Sequence, residues 1–285
     1  MNSDIKGTIF ILLSAFNFSL MGIFIRLINQ EVTPITQVML RIVIATAVLF
    51  VFYKLKKRKL FPHKRTIALL AVAGMFGYAL MVVFINFAFI NTTFGMATVV
   101  QQLTQLFVLF LGLVFLGEKI TKKIVVGVFL SLSGVYLIFQ PTAEGKMIGI
   151  TYGVIAAFLQ AIYNVIQRYN HKFNKTYINV FYSFFFASIV LIPLSFLLER
   201  PFSLTISPLT WGYLGFMVFN NILAYYFLNS GLRLIQANKA SIIATFQVFL
   251  GVLYSYFFYN EGLTMLQATG SGLILGSVII LNLKR

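Results

Sequence analysis

An internal repeat constrains the fold of this chain more than any other feature of its sequence. The stretch 95–135 returns 143 residues later, so that Glu118 is matched by Glu261 and Thr121 by Thr264. Further identities at this offset are Ala97 and Ala240, Phe84 and Phe227, Asn86 and Asn229, and Gly127 and Gly270. The chain is therefore one structural unit written twice.

Composition identifies the class of protein that this unit belongs to. Of 285 residues, 60% are hydrophobic and 10% are charged, whereas a soluble domain carries about 25% charged residues. The apolar residues fall in windows of about 20, the length that crosses a bilayer as a helix. Ten spans are predicted: 6–28, 36–53, 66–90, 96–117, 121–140, 147–168, 177–198, 208–232, 239–259 and 264–283.

The number of spans in each half determines how the two halves are oriented. Residues 1–143 and residues 144–285 each hold five spans, and an odd number makes the second half enter the membrane from the opposite side. We therefore predict an all-α integral membrane protein with ten transmembrane helices in two inverted five-helix repeats around a central cavity. Inverted repeats of this kind are typical of secondary transporters, although duplicated helical bundles also occur in scaffolds and channels.

The distribution of basic residues predicts the orientation. Lysine and arginine are retained on the cytoplasmic side, and the loop 54–65 after the second span holds seven of them. Alternation then places 18 of the 22 basic residues and both termini inside. This pattern predicts a multi-pass protein of the cell membrane, and it explains the net charge of +16 without a nucleic-acid partner.

Two short motifs at matching repeat positions carry a family resemblance. The fourth span closes on G-E-K-I-T (117–121) and the ninth on N-E-G-L-T (260–264), and Arg41 lies early in the second span. Over essentially its whole length the chain resembles the EamA-type drug/metabolite transporter superfamily. The resemblance implies a cavity lined by spans 1, 3, 4, 6, 8 and 9. Gln105 and Val248 depart from the family pattern, because many members carry proline at or near these positions.

Polar side chains within the spans agree with such a cavity, because lipid cannot satisfy their hydrogen bonds. Three glutamines of the fourth span follow helical spacing and predict a cavity wall. An isolated Asn or Gln also serves as an interhelical hydrogen bond, and for Asn86 and Asn229 this alternative stays open. The candidate solute-binding residues are Asn17, Arg41, Tyr78, Asn86, Gln101, Gln102, Gln105, Tyr163, Asn164, Asn229 and Gln247.

Other positions permit two interpretations each. Glu118 and Glu261 are predicted at helix ends on opposite faces of the membrane, where each acts either as a structural residue or as a gate. Arg41 either pairs with Glu31 or holds a carboxylate of the solute. The fifth and tenth spans carry small residues instead of polar ones, with a spacing suited to close helix contact: Gly127 and Ser131 in the fifth, and Gly272 and Gly276 in the tenth.

The residue types within the spans limit the ion coupling and the class of solute that are expected. Asp, Glu and His are confined to loops and helix ends, so obligatory proton coupling is not expected unless Glu118 or Glu261 supplies it. The spans favour a neutral, zwitterionic or amphipathic metabolite, such as an amino acid destined for export. No metal, cofactor or catalytic residue is predicted. One alternative is a scaffold or sensor subunit. A lipid-modifying membrane enzyme has less support, because its chemistry needs clustered acid–base groups and the six acids of this chain are scattered.

Overall fold

A computed structural model describes residues 3–92, 94–140, 147–199, 206–259 and 264–283. Within these residues the chain folds into ten long helices, as the apolar windows predict. Their bounds are α1 (Ser3–Ile28), α2 (Pro34–Leu55), α3 (64–91), α4 (94–116), α5 (Lys122–Phe139), α6 (Met147–Asn170), α7 (Thr176–Leu198), α8 (Pro208–Leu234), α9 (237–259) and α10 (Met265–Asn282).

Nine membrane-spanning candidates are found among the described helices by length and apolar composition alone, and α8 falls outside them. Helix α8 is 27 residues long, so its length is sufficient. Three buried asparagines, Asn220, Asn221 and Asn229, lower its average hydropathy. A helix with this composition is stable in a bilayer because its polar face is turned towards other helices.

The helices pack in a pattern that the repeat explains. Helix α1 packs along α8, and the equivalent pair, α6 and α3, packs in the same way. Helices α5 and α10 form one further pair, and α2 and α7 another, each made of equivalent helices. The Asn221 amide donates to the Tyr78 hydroxyl at 3.4 Å, and these residues are related by the repeat offset. Direct contact between equivalent residues places the pseudo-two-fold axis between them.

Helix starts are specified by local sequence. The Thr121 hydroxyl accepts from the Ile124 N–H, and the Thr264 hydroxyl accepts from the Gln267 N–H, so a threonine caps each of these two helices. Pro34 and Pro208 open α2 and α8, at positions where a missing N–H costs no helical hydrogen bond.

Helices α4 and α9 are each interrupted by a tightened turn, although neither carries a proline there. In α4 the Leu103 N–H donates to the Val100 carbonyl, three residues back instead of four. In α9 the Thr245 N–H donates in the same way to the Ile242 carbonyl. The Thr245 hydroxyl also donates to the Ile242 carbonyl at 2.6 Å. Both interruptions lie close to Gln105 and Val248, where the chain lacks the proline of the family pattern.

Helices α5 and α10 approach each other through two glycines. A Cβ on Gly134 would lie 2.6 Å from the Gly270 carbonyl oxygen, and a Cβ on Gly270 would lie 2.5 Å from the Gly134 carbonyl oxygen. The predicted contact holds for Gly127, where a Cβ would lie 3.4 Å from Leu281 of α10. It is wrong for Gly272 and Gly276, because no atom of the described residues lies within 4 Å of a Cβ built on either. Spacing alone did not reveal which face of α10 meets α5.

Candidate solute-binding site

Three buried tyrosines from three different helices meet inside the bundle. Tyr78 of α3, Tyr163 of α6 and Tyr225 of α8 are 2%, 2% and 7% exposed. Their ring centroids are 4.9 Å apart for Tyr78 and Tyr225, 5.7 Å for Tyr163 and Tyr225, and 6.4 Å for Tyr78 and Tyr163. Each lies at least seven residues from the end of its helix, or about 10 Å along the axis. We call these three residues the tyrosine cluster.

The backbone of α3 determines where Tyr78 lies. Residues Met75–Leu80 form a wide turn with π-helical hydrogen bonding, a feature often found at functional sites. Gly77 lies against the backbone of α6, where a Cβ would be 3.0 Å from the Tyr163 Cα. The wide turn and the missing side chain together bring α3 close to α6 and direct Tyr78 towards Tyr225.

Asparagine side chains donate hydrogen bonds to two of the tyrosine hydroxyls. Asn221 donates to Tyr78 at 3.4 Å, and Asn229 donates to Tyr163 at 3.1 Å. The Asn229 Oδ1 atom has no hydrogen-bond partner among the described residues. Asn86, its equivalent in the first repeat, is half-buried, and its Nδ2 atom likewise has no described partner. The structure brings Asn229 to the cluster but does not give Asn86 the same contact.

Arg41 of α2 lies beside this cluster. Its side chain is 5% exposed, and its guanidinium lies within electrostatic range of the Tyr78 and Tyr225 hydroxyls. The Nε and Nη1 atoms have no hydrogen-bond partner among the described residues. The alternative of a pair with Glu31 is wrong, because the Glu31 carboxylate accepts from the Ser207 N–H and hydroxyl at 2.8 and 2.7 Å.

The three glutamines of α4 have different surroundings. The Gln101 amide donates to Gln160 of α6 at 3.4 Å. The Gln105 side chain accepts from the Ser131 hydroxyl of α5 at 2.7 Å, and its Nε2 atom has no described partner. Gln102 is buried. The interruption of α4 separates the side chains, so Gln101 faces α6 and Gln105 faces α5.

The remaining candidates are Asn17, Asn164 and Gln247. The Asn17 amide donates to the Leu13 carbonyl of its own helix, and the Asn17 carbonyl accepts from Asn220. Asn164 is buried, and its Oδ1 atom has no partner among the described residues. Gln247 is half-buried in α9. Their role in binding a solute stays a prediction.

Glu118 closes the end of the bundle that the sequence predicts to be cytoplasmic. Its carboxylate accepts from the Ala237 and Asn238 N–H groups at 2.8 and 3.1 Å, at the start of α9. A negative charge at a helix N-terminus is stabilising. Arg168 of α6 adds an ion pair, with its Nε atom 3.7 Å from the carboxylate. Glu261, the equivalent of Glu118, lies outside the described residues.

A cavity of about 310 Å³ opens beside Glu118, and His171 lines it. Burial, together with the charges of Arg233 and Arg168, lowers the pKa of His171 to about 4. The sequence indicated no role for His171, because only the fold brings the turn after α6 against the end of α8. Tyr225 is indicated by the sequence, since Asn221, Tyr225 and Asn229 recur at every fourth position along α8 and form one polar stripe.

Comparison with known proteins agrees with this architecture. An uncharacterized transporter of Clostridium kluyveri is 29% identical over 209 residues, or 69% of this chain and 67% of the relative. The pseudopaline exporter CntI of Pseudomonas aeruginosa is 23% identical over 251 residues, or 88% of this chain and 85% of the relative. The chain spans between 50% and 67% of the length of the first curated relatives that it matches.

A solved crystal structure shares the fold, with a TM-score of 0.82 at 16% identity, over 99% of this chain and 97% of the other. The model of the EamA-like transporter family matches twice, over residues 5–140 and 147–283. Each match covers one five-helix unit, which confirms two repeats, while the boundary between residues 143 and 144 stays a prediction. Because the two matches cover nearly the whole chain, the protein belongs to the EamA-like transporter family.

Proposed function

We propose that this chain is a secondary transporter of the cell membrane that exports a small neutral, zwitterionic or amphipathic metabolite by alternating access. An amino acid or a related compound fits the polar and aromatic groups inside the bundle. Export is favoured because one relative, CntI, carries the name of an exporter. The two inverted repeats would exchange conformations as the cavity opens to either face.

The observation that carries this proposal is the buried guanidinium of Arg41 beside the tyrosine cluster. Its Nε and Nη1 atoms, and the Oδ1 atom of Asn229, whose Nδ2 atom bonds Tyr163, have no hydrogen-bond partner among the described residues. A buried polar group without a hydrogen bond costs on the order of 1–3 kcal/mol. A solute that supplies the missing partners recovers this free energy, which gives the site a reason to bind one.

The other candidate functions have less support. A scaffold or sensor subunit gains nothing from buried polar atoms that lack partners, since its polar groups need only join helices. A lipid-modifying enzyme needs clustered acid–base groups or metal ligands. The acids of the described residues are Asp4, Glu31, Glu118 and Glu199, and all four lie at helix ends or in loops.

Solute flux into proteoliposomes tests the site. We expect Asn164→Leu and Gln102→Leu each to reduce flux about tenfold or more, because each removes a polar group worth on the order of 1–2 kcal/mol to a bound solute. Folding should be little affected by Asn164→Leu, since the Oδ1 atom that it removes bonds nothing in the described part of the protein. Apparent melting temperature in detergent checks folding.

A matched control comes from the same helix. Thr151 of α6 is exposed, and its hydroxyl bonds only the Met147 carbonyl of the preceding turn. Thr151→Val should therefore retain wild-type flux. Full activity of both the Asn164 and the Gln102 variants would contradict the proposed site. Flux measured with and without an imposed pH gradient also tests the expectation that transport is not obligatorily proton-coupled.

Topology has its own test. The native chain has no cysteine, so a single Lys57→Cys substitution gives a clean labelling site in the loop between α2 and α3. We expect this cysteine to react with a membrane-impermeant maleimide only after the cells are opened, because the basic loop is retained in the cytoplasm. Labelling of this cysteine in intact cells would show that the loop lies outside and would contradict the proposed orientation.

A further inference from the structure

Arg41 carries a buried positive charge for which the described residues provide no counter-charge. A guanidinium has five N–H donors and stays charged in proteins, yet Arg41 is nearly fully buried and two of its nitrogens bond nothing described. The groups that face it from α3 and α8 are Tyr78 and Tyr225, which are neutral. A buried charge is normally paired, because leaving it unpaired is costly.

Each described carboxylate of the chain is committed elsewhere. Asp4 pairs with Lys239 at 3.5 Å, and Glu31 bonds Ser207 at the start of α8. Glu199 accepts from the Ile35 and Thr36 N–H groups at the start of α2, and Glu118 accepts from the start of α9. Glu144 and Glu261 lie outside the described residues. Within the described ranges, then, the charge that neutralises Arg41 does not come from the protein.

Arg168 shows what a structural arginine looks like in this chain. Its Nη1 atom donates to the Leu232 and Arg233 carbonyls at 2.7 and 2.8 Å. Its Nε atom pairs with Glu118. The Arg168 side chain therefore binds the carbonyls at the C-terminal end of α8 and pairs with an acid, whereas Arg41 makes no such contact in the described part of the chain. Joining helices does not account for Arg41.

We propose that Arg41 binds a carboxylate of the transported solute, so that the substrates are carboxylate-bearing zwitterions and monoanions. This inference rests on the proposed transport function. The planar guanidinium fork matches a carboxylate in two parallel hydrogen bonds. A cation without a carboxylate, such as a drug-like amine, is disfavoured by the fixed positive charge.

The surroundings of Arg41 define the rest of the solute. The rings of the tyrosine cluster offer apolar surface for a side chain and π-faces for an ammonium group. Apolar amino acids supply the carboxylate, the apolar side chain and the ammonium group together. A phosphate dianion would call for a second cation, whereas the other basic residues of the chain lie in loops or near the ends of the spans.

The test uses the purified full-length protein and four related probes. L-Phenylalanine carries both charges, 3-phenylpropanoate only the carboxylate, and L-phenylalaninamide and phenethylamine only the ammonium. We expect the two carboxylates to raise the apparent melting temperature and the two amines to raise it much less, because only a carboxylate pairs with Arg41. In Arg41→Gln, carboxylate binding should be at least about tenfold weaker.

A second measurement separates a binding role from a structural one. If Arg41 is unpaired without solute, Arg41→Gln removes a buried charge, and the melting temperature of the solute-free protein should stay the same or rise. If Arg41 is instead held by the protein, the temperature should fall by several degrees. Arg65→Gln, which changes an exposed arginine in the first turn of α3, is the control and should preserve the preference for carboxylates.

The outcomes distinguish this inference from the transport function. Carboxylate-selective binding that is lost in Arg41→Gln supports the inference even if proteoliposomes show no flux, and in that case the transport function fails alone. Equal binding of amines and carboxylates, no shift with either carboxylate, or unchanged selectivity in Arg41→Gln overturns the inference. Transport of the amines alone would keep the transporter and reject the carboxylate site.

Discussion

Gly134→Leu is expected to yield little folded protein, and Gly134→Ala to be less stable than the wild type by about 1–3 kcal/mol. The reason is the approach of α5 to α10, where a Cβ on Gly134 would lie 2.6 Å from the Gly270 carbonyl oxygen. That oxygen belongs to a helix backbone and cannot turn aside as a side chain can. The two helices must separate to accommodate the added carbon, and the contact between the repeats is lost along their length.

The same substitutions on α10 give a matched control. In the described part of the protein no atom lies within 4 Å of a Cβ on Gly272, so Gly272→Leu should fold like the wild type. Gly272→Ala should be neutral or slightly stabilising, because alanine favours a helix over glycine by about 1 kcal/mol. The yield of monodisperse protein and the apparent melting temperature in detergent measure both pairs. Equal behaviour of Gly134→Leu and Gly272→Leu would show that α5 and α10 do not meet as described.

The second large effect is a loss of stability in acid that depends on His171. Burial and the charges of Arg233 and Arg168 lower the pKa of His171 in the folded protein from 6.5 to about 4. An unfolded chain would bind this proton below pH 6.5, whereas the folded protein binds it only near pH 4. Stability is therefore fully present above pH 6.5, falls as the pH drops and is lowest below pH 4. The total loss is about 3 kcal/mol, from 1.36 kcal/mol for each pKa unit.

A substitution isolates this contribution from that of the acids, which also titrate in this range. His171→Gln keeps a polar side chain next to Asn179, whose Nδ2 atom lies 3.4 Å from the histidine Nδ1. We expect the difference in apparent melting temperature between wild type and variant to change by several degrees between pH 7.5 and pH 4. The wild type should lose stability faster as the pH falls. Parallel curves would show that His171 is already protonated or is solvated in the folded protein.

The general architecture could be predicted from the sequence because the solvent around the spans is lipid. A bilayer accepts only helices about 20 residues long, so apolar windows and the basic loop 54–65 determined the number and predicted the direction of the spans. The offset of 143 residues determined the repeat. Caps such as Thr121 were also readable, because a cap depends on the residue and its next three neighbours.

The partners of individual side chains were decided only by the tertiary structure. Periodicity placed Gln101 and Gln105 on one face of a straight helix, but α4 is interrupted between them, and each bonds a different helix. The interruption depends on hydrogen bonds that no residue type specifies alone. The glycine contact of α5 likewise depends on the rotation of α10, which spacing does not reveal.

The same distinction applies to the candidate site. The sequence determined that Arg41 and the polar residues of α6 and α8 are buried in the membrane, because their flanking residues are apolar. Only the packing of α2 against α3 and α8 showed that Arg41 meets neutral tyrosines while Glu31 bonds Ser207. A pairing between charges depends on distances of a few ångströms in three dimensions. Those distances follow from how the helices pack, and the order of residues along the chain does not specify them.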